Sequence, residues 1–105
     1  MPGLGTNKTE WGRPTPDRTL VARMASGDRQ AWNELRARYR ATVYSIAYTA
    51  LCEPEEAEAV AARVFTEAWR GARTFLWTHA TVSGWLTHLA RKHVGSLSRN
   101  STTVR

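Results

Sequence analysis

The chain has 105 residues and a mass of 11.8 kDa, one domain's worth, able to bury roughly 65% of its unfolded surface around a single core. Apolar residues make up 42% and charged residues 23%, which excludes a disordered chain and fits a globular domain. The net charge of +6 is unevenly spread: residues 1–67 carry nine basic and nine acidic side chains, whereas residues 68–105 carry Arg70, Arg73, Arg91, Lys92, Arg99 and Arg105 and no acid.

The single cysteine, Cys52, excludes an intrachain disulfide and fits a reducing cytosol. No apolar stretch approaches the ~20 residues of a bilayer span. The N-terminus lacks the basic-then-apolar order of a secretory signal. A cationic final third fits a polyanionic partner, either nucleic acid or an anionic membrane surface, and equally a solvated basic face.

Residues 1–16 read as a disordered leader rich in glycine and proline, with Trp11 its one large aromatic. A short helix is predicted from Asp17 to Ala25, with Leu20, Val21 and Met24 on its apolar side. Gly27 reads as its stop and Asp28 as the cap of the next helix. That second helix is predicted from Arg29 to Leu51. Trp32, Leu35, Tyr39, Val43, Ile46, Ala47 and Ala50 step by threes and fours, and Arg29, Arg36, Arg38 and Arg40 cover the outer side.

Pro54 opens a third helix at the first-turn position, where its missing N–H costs nothing. Glu53, Glu55, Glu56 and Glu58 set negative charge against the positive end of the helix dipole. Ala57, Val60, Ala61, Val64, Phe65 and Ala68 form its apolar stripe, and Gly71 reads as its end. A loop is expected from Arg73 to Ala80. A fourth helix follows from Thr81 to Ser98, with Val82, Trp85, Leu86, Leu89, His93 and Leu97 on one side and a frayed tail over residues 101–105. Nothing reads as a strand, so the expected fold is an all-α bundle of about four helices with its ordered domain over residues 17–100. No heptad seam is evident, so a monomer is expected.

Catalytic chemistry is not expected. Cys52 has no histidine near it in sequence and reads as a small apolar residue. The clustered glutamates serve the helix dipole. His79, His88 and His93 lack ligand spacing and have no acid beside them, so no metal is expected. No glycine-rich phosphate loop is present, and no cofactor or small-molecule substrate is implied. The final third instead interleaves cations with Trp69, Phe75, Trp77 and Trp85, a combination that holds single-stranded nucleic acid, each stacked base contributing ~1–3 kcal/mol. Trp69 and Trp85 fall at core spacing on helices. Phe75, Trp77 and His79 fall in the predicted loop and are the better base-contacting candidates.

The order of these motifs resembles region 2 of bacterial sigma factors of the extracytoplasmic-function group. The resemblance runs through Leu20 to Arg40 (LVARMASGDRQAWNELRARYR), Val43-Tyr44, Pro54 to Glu58, Val64-Phe65 and Ala68-Trp69. It continues through Trp85-Leu86, Leu89 to Arg91 and Leu97 to Arg99, covering about residues 17–100. The resemblance implies a cytoplasmic bacterial domain that docks on the clamp helices of the largest subunit of core RNA polymerase. It further implies capture of flipped non-template bases of the minus-ten promoter element, nucleating melting.

The polymerase-binding residues so implied are Glu56, Glu58, Ala59, Ala62, Arg63 and Phe65 on the third helix. Ala59 stands where the family has an acid, Ala62 where it has glutamine, and Arg63 where it has an acid. Docking is then expected to weaken by several kcal/mol, at about 1.5–3 kcal/mol per charged contact. The DNA-binding residues implied are Phe75, Trp77, Thr78 and His79 in the loop, with His88, Arg91, Lys92 and Arg99 on the fourth helix. The loop from Thr74 to Ser83 departs from the usual basic, glycine-containing loop and reads about one residue longer. Lys92 and Ser96 stand where asparagine and aspartate are common.

The resemblance does not extend to the second helical domain that reads the minus-thirty-five element in such factors. The expectation is therefore one domain of a two-domain factor or a stand-alone domain. Three readings remain open: a promoter-recognition domain; a diverged relative that binds DNA or a regulatory protein such as an anti-sigma factor without initiating alone; and a helical module that lies on anionic membranes.

Overall fold

The computed structural model describes residues 15–78 and 81–104, with side chains described over residues 15–75 and 81–97. Four helices follow in order: α1 (Asp17–Ala25), α2 (Arg29–Leu51), α3 (Pro54–Thr78) and α4 (Val82–Val104). No strand occurs among the described residues, and the all-α bundle read from the sequence is the fold.

α1 has nine residues, too few to hold a helix alone in water. Leu20, Val21 and Met24 are buried, and each such side chain contributes about 1.5–3 kcal/mol on leaving water. A polar tie fixes its start. Arg38 on α2 donates through Nη1 to the Asp17 carboxylate at 2.6 Å and to the Thr15 carbonyl at 2.7 Å, and through Nη2 to Glu34 at 3.0 Å. The Tyr39 hydroxyl donates to the other Asp17 oxygen. Burial foremost, then the bond to Asp17, pushes the Tyr39 hydroxyl up to about 12. Thr15, read from the sequence as part of a disordered leader, is thus held to α2, and the Pro16 carbonyl accepts from the N–H groups of Thr19 and Leu20 in α1. Trp11 and the rest of the expected leader lie outside the described residues.

Gly27 turns the chain at φ +93, a conformation that costs glycine little. Asp28 then accepts from the backbone N–H groups of Gln30 (3.0 Å) and Ala31 (3.2 Å) and caps α2. At the other end of α2, Cys52 adopts the left-handed conformation (φ 56) and its N–H donates to the Tyr48 carbonyl at 2.8 Å. Cys52 is exposed, so it serves as a helix cap rather than as the small apolar residue read from the sequence. Ala50, placed on the apolar side of α2 by periodicity, is also exposed.

The third helix departs from expectation. It does not end at Gly71 but continues to Thr78, so residues 73–78 of the expected loop are helical. The cause is visible in the burial pattern. Ala57, Val60, Ala61, Val64, Phe65 and Ala68 are buried as predicted, and the same stripe continues through Ala72 and Phe75. Burying Phe75 outweighs the roughly 1 kcal/mol that a glycine costs inside a helix. Gly71 also faces Trp85: a Cβ there would stand 3.6 Å from the indole Cζ2.

Thr81 caps α4, its hydroxyl accepting from the Gly84 N–H at 3.0 Å. α4 does not end at Ser98 as expected but runs to Val104, and residue 105 of the expected tail lies outside the described residues. No glycine or proline follows Gly95 to stop it. α3 packs against each of the other three helices, and α2 packs against α1 and α4 as well.

A left-handed cysteine carries strain that glycine avoids. Cys52→Gly should therefore stabilise the domain by about 1 kcal/mol and raise Tm by about 4–8 °C, read by thermal melting followed by circular dichroism. An unchanged Tm would show that the thiol supplies a compensating contact.

Candidate nucleic-acid and protein interface

Residues 56, 59, 63, 66, 70 and 73 follow the helical step along α3 and are all exposed. They form its outer ridge. Five of the six residues expected to face polymerase reach this surface: Glu56, Glu58, Ala59, Ala62 and Arg63. Phe65 does not. It is 2% exposed and belongs to the core, so the structure corrects its reading as a contact residue. What Phe65 offers its surroundings is its backbone carbonyl, which accepts from the indole N–H of Trp32 at 2.8 Å. Glu58 pairs with Arg40 at 3.3 Å with both side chains more than half exposed, an ion pair worth at most about 1 kcal/mol.

Beside this ridge lies a cluster that periodicity alone did not single out. Trp32 on α2 and Trp69 on α3 meet edge to face, with ring centroids 5.8 Å apart. The Arg29 guanidinium sits 5.8 Å from the Trp32 ring and 5.3 Å from the Trp69 ring, and Arg36 lies 4.5 Å from Trp32. The signal was present in the sequence: Arg29, Trp32 and Arg36 are spaced i, i+3 and i+7, which stacks them on one face. Cation–π contact of this kind contributes ~0.5–1 kcal/mol at exposed sites and fixes where each guanidinium points.

On α4, His88, Arg91 and Lys92 are exposed on one face, as a shared surface requires. Arg91 borders a shallow groove between α2 and α4 whose walls include Ile46, Ala50 and Val94. The Lys92 ammonium donates to Glu67 at 2.6 Å, and His93 Nε2 stands 2.8 Å from the other Glu67 oxygen. The hydrogen bond from Lys92 does most to hold the Glu67 carboxyl below its ordinary value. Partial burial opposes it, and His93 adds to the lowering. Part of the positive charge expected to face DNA is thus engaged in tying α4 to α3.

Phe75 is corrected as well. It is fully buried, stacked on Trp85 with centroids 4.7 Å apart, and the Arg18 guanidinium lies 5.2 Å from its ring. It packs the core and offers no face to a base. Trp85 is buried as expected, and Trp69 is half-buried against the core. His79 and the side chains of Trp77, Thr78 and Arg99 lie outside the described residues. Among the described residues no cluster of metal-ligating side chains occurs, and no helix is long and apolar enough to cross a membrane.

Two outcomes follow. Phe75→Ala should cost about 3–5 kcal/mol of stability, read by urea unfolding; a loss below 1 kcal/mol would return Phe75 to the surface. Glu67 has a depressed folded-state pKa, so its contribution is present above the ordinary carboxylate range and is lost as pH falls through the folded value. The Tm gap between the native chain and Glu67→Gln should be full at pH 7 and close toward pH 3. A gap independent of pH would show that the Glu67 charge does not hold α4.

No curated protein and no solved structure matches it significantly. The family model for sigma-70 region 2 matches residues 35–101. That span takes in most of α2, all of α3, and α4 as far as residue 101. Over well more than half of its length, therefore, and in its all-helical architecture, the chain belongs to the sigma-70 region 2 family, the part of a sigma factor that engages RNA polymerase and promoter DNA.

Proposed function

We propose that this chain is the promoter-recognition domain of a sigma factor of the extracytoplasmic-function group, acting in the bacterial cytoplasm. It docks on core RNA polymerase through the outer ridge of α3 and captures the unpaired minus-ten element with α4 and the segment before it. The observation that carries this reading is the family match over residues 35–101, which runs through both exposed faces. Residues 56, 58, 59, 62 and 63 supply the docking ridge. His88, Arg91 and Lys92 supply the cationic face, with Arg99, Trp77, Thr78 and His79 added by family position.

The physical roles divide cleanly. Cations on α4 attract phosphates and release counterions, so their contribution falls as salt rises. A flipped base costs a few kcal/mol of unstacking, and an aromatic side chain that stacks on it offsets that cost. Trp77 takes that stacking role in this proposal, since Phe75 is committed to the core. The exposed Ala59 and Ala62 provide no side-chain hydrogen bonds, and Arg63 presents a cation. These three favour a second reading, in which the ridge has been retuned for a regulatory protein such as an anti-sigma factor.

The test is a titration of the chain against bacterial core RNA polymerase at moderate salt, beside the variant Ala59→Asp/Ala62→Gln/Arg63→Glu. Binding by the native chain is the expected result. Binding by the variant alone would sink the docking role and favour the second reading. On single-stranded minus-ten DNA, Trp77→Ala should lower affinity by about 1–3 kcal/mol with the salt slope unchanged. Arg91→Ala should reduce the log–log salt slope by about 0.7, the value for one single-strand phosphate contact. An Arg91→Ala slope equal to the native one would remove Arg91 from the phosphate path.

A further inference from the structure

We infer that the outer ridge of α3, with the α2 surface beside it, is a docking site for an acidic amphipathic helix of a partner protein. The inference takes the docking helix from the proposed function and adds the chemistry of what docks there.

The first ground is charge. Arg63 and Arg70 are exposed on the ridge, and among the described residues neither has an acidic partner. Arg36 on α2 borders the groove on the other side of Ala62, oriented by Asn33 at 3.0 Å and by the Trp32 ring. The two acids within reach are already engaged: Glu58 with Arg40, and Glu67 with Lys92 and His93. The middle of the ridge therefore presents positive charge with no internal compensation.

The second ground is shape. Ala59 and Ala62 just before Arg63, and Thr66 between Arg63 and Arg70, keep the ridge low, so a second helix can approach closely. A shallow groove runs along each side. The one toward α2 is bordered by Arg36, Arg40 and Glu58 and floored by Ala61, Ala62 and Phe65. The one toward α4 is bordered by Arg63, Arg70 and Glu67. Each thus combines apolar carbon with guanidinium rims, the complement of a helix whose carboxylates flank aliphatic side chains.

The third ground separates a protein from a nucleic acid. Glu55 and Glu56 are exposed at the N-terminal end of the same helix, about 10 Å along the axis from Arg63. A uniform phosphate backbone laid along the ridge would run onto them. A helix with acids only where the arginines stand would not. Arg63 and Arg70 are seven residues apart, about 10 Å along the axis, which matches acids seven residues apart on a facing helix.

The test uses the full chain and a synthetic helical peptide with glutamates seven residues apart and leucines between them on the same face. Controls are the same peptide with glutamines and a single-stranded oligonucleotide of equal net charge, all followed by fluorescence anisotropy. The glutamate peptide should bind, weaken with salt, and lose at least tenfold in affinity for Arg63→Glu/Arg70→Glu. Arg63→Gln/Arg70→Gln should show an intermediate loss, and both variants should keep the native circular dichroism spectrum and Tm. Equal affinity for the native chain and the variants, no binding of the glutamate peptide, or its displacement by the oligonucleotide at equal or lower concentration would each overturn the inference, the last in favour of nucleic acid.

Core polymerase titrated in parallel separates the two ideas. Peptide binding lost in the variant, with no polymerase bound by the native chain, supports the acidic-helix site and removes the polymerase role. Polymerase bound by the native chain with no peptide binding keeps that role and overturns the acidic-helix site.

Discussion

Burial of one continuous apolar stripe along α3 is the constraint on which the rest of the molecule depends. From Ala57 to Phe75 the stripe supplies α1, α2 and α4 with a common packing surface. The 25 residues of α3 span about 37 Å at 1.5 Å each, long enough for α1 and the start of α4 to meet it near one end and α2 along its length. Two further contacts lock that arrangement. The Trp32 indole N–H satisfies the Phe65 carbonyl, and Phe75 stacks on Trp85. Each joins α3 to a different neighbour, so the direction of its outer ridge is set by packing on its inner one.

Most of this organisation is legible in the residues themselves. The bounds of α1 and α2 follow from Leu20, Val21 and Met24, from the Gly27–Asp28 stop and cap, and from the apolar step along α2. What was not legible was the continuation of α3. Gly71 is a strong local stop signal, yet Ala72 and Phe75 carry the three–four step past it. The misreading of Phe75 as an exposed base-contacting aromatic followed from that one boundary. Phe65 shows a related limit: a family position marks it for a contact, while its place on the stripe marks it for the core, and burial decides between them. Cys52 was misread for another reason, because a left-handed cap depends on where the chain must turn and not on the chemistry of the residue.

The same economy governs charge. The acids up to Glu67 balance the early basic residues in number, but the fold decides which charges cancel. Asp17 and Glu34 are taken by Arg38, Glu58 by Arg40, and Glu67 by Lys92 and His93. Among the described residues, Arg63, Arg70 and Arg73 have no ion pair on the ridge, nor does Arg91 on α4. The cationic final third read from composition therefore becomes two separate surfaces, one on α3 and one on α4. Charge counting alone joins them; the fold sets them on different helices.

That separation bears on how one small domain meets two partners. A protein surface and a nucleic-acid strand make different demands: the first needs low relief and apolar carbon between its charges, the second needs cations with stacking surfaces nearby. The α3 ridge has the first set in Ala59, Ala62 and Thr66 beside Arg63 and Arg70. The α4 face carries His88, Arg91 and Lys92 just beyond the segment that contains Trp77. Because Lys92 and His93 also hold Glu67, the tie between the helices runs through the α4 face itself. The buried contact of Phe75 with Trp85 carries most of the joint between α3 and α4, and the Glu67 pair adds a smaller, charge-dependent part.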